Sequence, residues 1–202
     1  MGVDPLMFTL ANRLSIFRIL IIPVFITTIL YYTAEKDYLR LLAAGIFLLA
    51  ALSDGLDGYI ARVMGQRTKL GSFLDPLADK LLLAAVYTCL SLVQTLPAQF
   101  KFPAWVVIIV ISRDVIILLG SAIIYMAHQE LYIYPTRLGK TTTFLQMATV
   151  VILLLQLPFF ATVMYIMVAF TVISGLDYIR RGSKLFNNHE LAPEKEQGGG
   201  DV

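Results

Sequence analysis

Histidine and cysteine are nearly missing from this chain. Two histidines, His128 and His189, stand far apart, and the one cysteine, Cys89, lies in an apolar run. An internal disulfide is therefore impossible, and neither structural zinc nor a His-based catalytic centre is expected. Charge is scarce as well. Asp, Glu, Lys and Arg make up 15% of the 202 residues, where a soluble domain carries about a quarter. The net charge of +2 is too small to point to nucleic acid. With 58% hydrophobic residues and a mean hydropathy of +0.76, the chain is expected to have a bilayer as its second solvent. No cleavable leader is expected: the first apolar run lacks a small-residue cleavage pattern and is followed by further runs.

What is present is a series of long apolar segments. Six of them, at about 16–32, 39–56, 73–93, 104–127, 141–157 and 159–178, come close to the ~20 residues that a helix needs to cross hydrocarbon. The expected fold class is all-α, a polytopic membrane protein with six transmembrane helices. Residues 1–186 would form one membrane domain, and the polar stretch 187–202 a disordered tail. Arg13 and Arg18, then Arg62, Arg67 and Lys69, then Arg137 and Lys140, then Arg180, Arg181 and Lys184 fall on one side of such a bundle. The other side holds Lys36, Arg40 and Lys101, the first two offset by Glu35 and Asp37. The richer side is expected to face the cytoplasm. Both termini would then be cytoplasmic, and the protein would be multi-pass in the inner (cytoplasmic) membrane of a cell.

Against this background one stretch is dense in acid. Asp54, Asp57, Asp75 and Asp79 fall within 26 residues, with Gly55, Gly58 and Gly71 beside them and Arg62 between the pairs. Ionisable groups at membrane helices are expensive and mark function by default. Spacings of three and four put each pair on one face of a helix, and the two pairs can face each other across a hairpin. Four converging carboxylates repel unless cations sit among them, and oxygen-only ligands select magnesium, manganese or calcium. Two carboxylate pairs suit two ions clamping a phosphate, which fits a pyrophosphate substrate. Arg62 can meet phosphate by paired hydrogen bonds. The glycines suit close approach of a ligand to the backbone, although close helix packing also uses them. Asp75 before Pro76 also reads as a helix N-cap, and Asp79 as a partner of Lys80 or Arg62.

At these residues the sequence resembles the CDP-alcohol phosphatidyltransferase family. The signature of Asp, two residues, Asp-Gly, two residues, Ala-Arg, eight residues, Gly, three residues, Asp, three residues, Asp is met at Asp54, Asp57-Gly58, Ala61-Arg62, Gly71, Asp75 and Asp79. Asn12 to Arg18 is similar to the family's entry motif, with Ser15 in place of a threonine. The resemblance implies a six-helix membrane enzyme, a homodimer with a cytosol-facing polar cavity. It implies two divalent cations, Mg2+ or Mn2+, on Asp54, Asp57, Asp75 and Asp79. Asp79 would also take the proton from the acceptor hydroxyl. Asn12, Gly58, Arg62, Gly71 and Ser72 would line the site for the nucleotide and pyrophosphate of CDP-diacylglycerol. An alcohol would attack the phosphorus carrying the diacylglycerol, and CMP would leave.

The acceptor must be read elsewhere. Arg113-Asp114 falls inside the fourth run, where the arginine is either one half of a structural pair or an anion site. Arg137, Lys140 and Arg180 lie at the cytosolic border, where they could bind a phosphate or simply mark the border. Arg113-Asp114, Gly139-Lys140 with Thr143 and Gln146, and Ser174-Gly175 with Tyr178 resemble the branch of the family whose acceptor is sn-glycerol 3-phosphate. Arg113, Arg137, Lys140 and Arg180 would then bind the acceptor phosphate. Thr142 departs from that branch, many members of which have a lysine there. The alternative within the family is a cardiolipin synthase, with phosphatidylglycerol as acceptor. Outside it, a prenyltransferase would carry two well-separated acidic motifs, and a cation carrier would spread its acids along mid-membrane helices.

Overall fold

The computed structural model describes residues 10–64, 69–128 and 137–190, with side chains for 16–53, 77–120 and 137–181. Six helices make up the architecture: α1 (Leu10–Leu30), α2 (Tyr38–Met64), α3 (Lys69–Leu92), α4 (Ala104–His128), α5 (Arg137–Leu154) and α6 (Phe160–Glu190). Single 3-10 turns at Ala34–Lys36 and Ala98–Phe100 lie in the α1–α2 and α3–α4 links. No strand occurs among the described residues. The basic link at 65–68, most of the α4–α5 link and the tail from 191 lie outside them.

The helices match the apolar runs in number and order, and differ at the acid block. α2 continues to Met64, and α3 begins at Lys69 rather than near Phe73. Gly55, Gly58 and Gly71 do not interrupt either helix, and Pro76 lies inside α3. Asp75 is therefore not an N-cap, because its residue is well inside a helix. Proline has no N–H to donate, so the Ser72 carbonyl lacks its helical donor four residues on.

Direction follows from cross-helix contacts. Phe25 of α1 meets Phe47 of α2 with ring centroids 6.3 Å apart, as in a hairpin about the short link. Arg40 at the start of α2 donates to the Leu154 carbonyl at the end of α5, so these two helices are antiparallel. Lys80 of α3 meets Asp114 of α4, another hairpin pairing. Arg113 with Ser174 and Tyr178 with Ile117 keep one offset between α4 and α6, so those two run parallel. Alternation throughout brings the C-terminal part of α2, the N-terminal parts of α3 and α5 and the C-terminal part of α6 to the same end. α1 packs against both α2 and α3, and α6 against both α4 and α5. The pair α2–α3 is not among the principal contacts of the described residues.

The core is apolar and aromatic at the opposite end. Tyr87 stacks on Phe102 with centroids 4.3 Å apart, and Phe160 meets the edge of the same ring. Outward faces are apolar too: Leu20, Leu49, Leu52, Ile108, Leu119, Phe144 and Leu176 are exposed. Water tolerates apolar patches of that extent poorly, and lipid tolerates them well. Among the described residues, Ala98–Gly120 and Phe160–Arg181 are each long and apolar enough alone to cross a membrane, and Ile16–Leu30 and Tyr38–Ser53 are shorter apolar stretches.

α5 ends in a Schellman motif. The Gln156 N–H donates to the Leu153 carbonyl at 2.9 Å and the Leu157 N–H to Ile152 at 3.1 Å. Gln156 has φ 53, the left-handed conformation that normally favours glycine, and Pro158 follows to stop the helix. Arg40 clamps the same end. It forks onto Asp37 through Nε and NH2, both at 2.7 Å, and brings a cation to a helix C-terminus, where the dipole favours it. That hydrogen bond also holds the Asp37 carboxyl below its ordinary value.

Candidate functional site

Both halves of the acid block lie on continuous helix. Positions 54 and 57 fall in α2, and positions 75 and 79 in α3. Gly58 and Arg62 continue α2, Gly71 and Ser72 lie in the first turn of α3, and Asn12 lies in the first turn of α1. Of these residues, only Asp79 belongs to the stretch whose side chains are described, and it is half-buried. The convergence of the four carboxylates thus lies outside the described side chains. Among the described residues no group of three His, Cys, Asp or Glu could hold a metal. The one described carboxylate of the block, Asp79, lies on a helix that carries a second acid four residues earlier. A donor set of oxygens alone suits hard ions. A groove of about 510 Å³ between α1 and α3 is lined by apolar residues, among them Ile26, Leu30, Leu81, Ala85 and Leu92.

The described polar centre is next to Asp79. The Lys80 ammonium reaches Asp114 Oδ1 on α4 at 2.7 Å. The same oxygen accepts from Arg113 NH1, also at 2.7 Å. Arg113 NH2 donates to Ser174 Oγ on α6 at 3.0 Å. Arg113 and Asp114 are buried, at 5% and 6% relative exposure. Arg113 Nε, also buried, has no hydrogen-bond partner among the described residues. Two cations and one carboxylate leave the cluster with a net charge of one positive. The structural and functional readings of Arg113 are therefore compatible: it is paired, and its Nε–H has no partner among the described residues.

α6 fits closely around this cluster. Gly175 lies beside Arg113, where a Cβ would come 3.6 Å from Cγ, an ordinary contact. Gly120 is different, because a Cβ there would meet the Tyr178 ring at 2.7 Å. Its absence lets Tyr178 donate to the Ile117 carbonyl at 3.2 Å. The Ser174-Gly175 and Tyr178 pattern is thus the α6 side of the α4–α6 contact.

The other expected cations sit differently. Arg137 opens α5, Lys140 lies one turn on, and both are exposed, as is Arg180 on α6. None has an ion-pair partner among the described residues. Thr142 is fully buried and bonds the Leu138 carbonyl at 2.8 Å and Phe170 of α6 at 3.3 Å. Phe170 and Ser174 are four residues apart, about 6 Å along a helix, so α5 and Arg113 reach α6 within one turn of each other. Gln146 follows one turn on from Thr142. It is buried, its Nε2 reaches Thr171 at 3.4 Å, and its main-chain carbonyl accepts from the Tyr87 hydroxyl. Lys80 joins this cluster from α3, a pairing that sequence reasoning did not name. The signal available was the cost of a buried Arg-Asp pair, which calls for further charged partners at the same depth.

Comparison with known proteins identifies the family. The family model for CDP-alcohol phosphatidyltransferases matches residues 8–173. A CDP-diacylglycerol–glycerol-3-phosphate 3-phosphatidyltransferase of Bacillus subtilis is 35% identical, aligned over 87% of this chain and 95% of its own. A probable phosphatidylglycerophosphate synthase of Mycobacterium tuberculosis is 32% identical over 85% of this chain and 80% of its own. A CMP-forming cardiolipin synthase of Homo sapiens is 39% identical over 61% of this chain and 36% of its own. The match spans α1 to the first half of α6 and contains the whole acid signature, and on that basis the chain belongs to the CDP-alcohol phosphatidyltransferase family.

Proposed function

We propose that the protein transfers the phosphatidyl group of CDP-diacylglycerol to sn-glycerol 3-phosphate, giving phosphatidylglycerophosphate and CMP. The observation that carries this reading is the family match across residues 8–173, with every spacing of the acid signature met inside it. The choice of acceptor is supported by the Bacillus subtilis relative, named for that activity and aligned over nearly its full length.

Asp54, Asp57, Asp75 and Asp79 hold two divalent cations, Mg2+ or Mn2+. When bound, these supply positive charge against the pyrophosphate and the departing CMP phosphate. Asn12, Gly58, Arg62, Gly71 and Ser72 line the nucleotide and pyrophosphate. Arg113, Arg137, Lys140 and Arg180 hold the acceptor phosphate, and the unused buried donor of Arg113 supports its place among them. Asp79 takes the proton from the acceptor hydroxyl as its oxygen attacks the phosphorus that carries the diacylglycerol. The bond from that phosphorus to the CMP oxygen breaks, and CMP leaves.

The six helices cross the inner membrane with both termini in the cytoplasm, and a polar cavity opens there to the acid block. Alternating helix directions and apolar outward faces support this placement. The active form is a homodimer, and residues 187–202 lie outside the membrane domain of 1–186. A second reading, a cardiolipin synthase using phosphatidylglycerol, is favoured by one observation. Thr142 is buried and bonded to carbonyls, so it supplies no cation for a phosphate.

Purified protein with CDP-diacylglycerol, magnesium and glycerol 3-phosphate is expected to release CMP. Asp79→Asn is expected to lower that release by about 10³-fold or more, as when a catalytic base is lost, while still inserting in the membrane. Undiminished turnover in that variant would remove Asp79 from the proposed role.

A further inference from the structure

We infer that Asp114 is a positioning residue, which holds Arg113 in the orientation that receives the acceptor phosphate. This rests on the reading that Arg113 binds that phosphate. An arginine on an apolar helix has many rotamers and a planar fork that must be aimed to bind an anion. Here the aim is fixed at two points. Asp114 Oδ1 takes NH1 at 2.7 Å, and Ser174 Oγ takes NH2 at 3.0 Å.

Asp114 is in turn fixed from a third helix. Lys80 shares its Oδ1 at 2.7 Å, so the carboxylate cannot swing with the arginine. The two bonds use two of the five guanidinium donors, and the buried Nε–H is left without a partner among the described residues. Lys80 directly follows Asp79 on α3. The chain Lys80–Asp114–Arg113–Ser174 therefore ties the helix that bears the proposed base to the arginine and then to α6.

Two accounts of Asp114 give opposite signs. A carboxylate that merely competes with phosphate for Arg113 weakens acceptor binding, and removing its charge would tighten it. A carboxylate that aims Arg113 strengthens binding, and removing its charge weakens it. The rigid double use of Oδ1 and the burial of both partners favour the second.

The test is a set of variants assayed with CDP-diacylglycerol and glycerol 3-phosphate, together with equilibrium binding of glycerol 3-phosphate alone. Asp114→Asn is expected to raise the acceptor KM and Kd by about tenfold, equal to about 1.4 kcal/mol, with the donor KM changed less than about twofold. Lys80→Met/Asp114→Asn keeps the cluster at one net positive charge, since one cation and the carboxylate are removed together. It is expected to keep the raised acceptor KM and Kd, and it serves if the single variant does not fold. In an Arg113→Ala background, Asp114→Asn is expected to add nothing further to either constant.

An acceptor KM unchanged or lowered in Asp114→Asn would overturn the inference, as would return to wild-type values in the double variant. Additive effects of Arg113→Ala and Asp114→Asn would overturn it too. If Arg113→Ala itself leaves the acceptor constants unchanged, the reading of Arg113 fails first, and that outcome is distinguishable from the others.

Discussion

A buried arginine brings five N–H donors and a charge into a region that solvates neither. At Arg113 the cost is met by a carboxylate next to it in sequence, a hydroxyl from α6 and, through the carboxylate, a lysine from α3. Arg40 solves the same problem at the other end with Asp37 and a helix-terminal carbonyl. Its bond lowers the Asp37 carboxyl from the ordinary 3.8. A carboxylate with a lowered folded value adds stability that is complete above the unfolded value and lost as pH falls through the folded one. Asp37→Asn is therefore expected to be less stable than the parent at pH 7, and the two are expected to converge as pH falls below about 3.8. Thermal unfolding in detergent across that range measures it; a difference that persisted at the acid end would contradict the assignment. The sequence shows Arg113 beside Asp114 and Lys80 beside Asp79. It does not show that Lys80 turns to α4, because that depends on the depth at which α3 and α4 pack.

Elements were legible where hydrophobicity alone decides them. Each of the six apolar runs lies largely on a helix, which satisfies its backbone within the segment. The ends were less legible. α2 runs through Gly55 and Gly58 to Met64, and α3 through Gly71 and Pro76 from Lys69. The alternative reading of Asp75-Pro76 as an N-cap does not hold, because α3 begins at Lys69, and local preference is a weak guide to helix ends. The end of α5 shows the reverse case, a glycine position filled by Gln156 at φ 53. Gln156→Gly is expected to raise stability by about 0.5–1 kcal/mol, and Gln156→Val to lower it by about 1 kcal/mol or more. The same thermal unfolding assay checks both, and equal effects of the two substitutions would show that the turn is not held in that conformation.

At the scale of the whole molecule, alternating helices put the acid block and the basic helix ends at one end and aromatic packing at the other. The acid block and the exposed Arg137, Lys140 and Arg180 share an end, while Tyr87, Phe102 and Phe160 pack the opposite one. The donor was legible in the sequence, because eight identities at fixed spacing leave little freedom. The acceptor was not, because its phosphate would be held by scattered cations on α4, α5 and α6 that sequence order does not bring together. The most direct measurement is CMP release from CDP-diacylglycerol by purified protein, given glycerol 3-phosphate, phosphatidylglycerol, inositol phosphate or serine in turn. Release with glycerol 3-phosphate and formation of phosphatidylglycerophosphate are predicted. Release with phosphatidylglycerol alone, or with none of the four, would contradict the account.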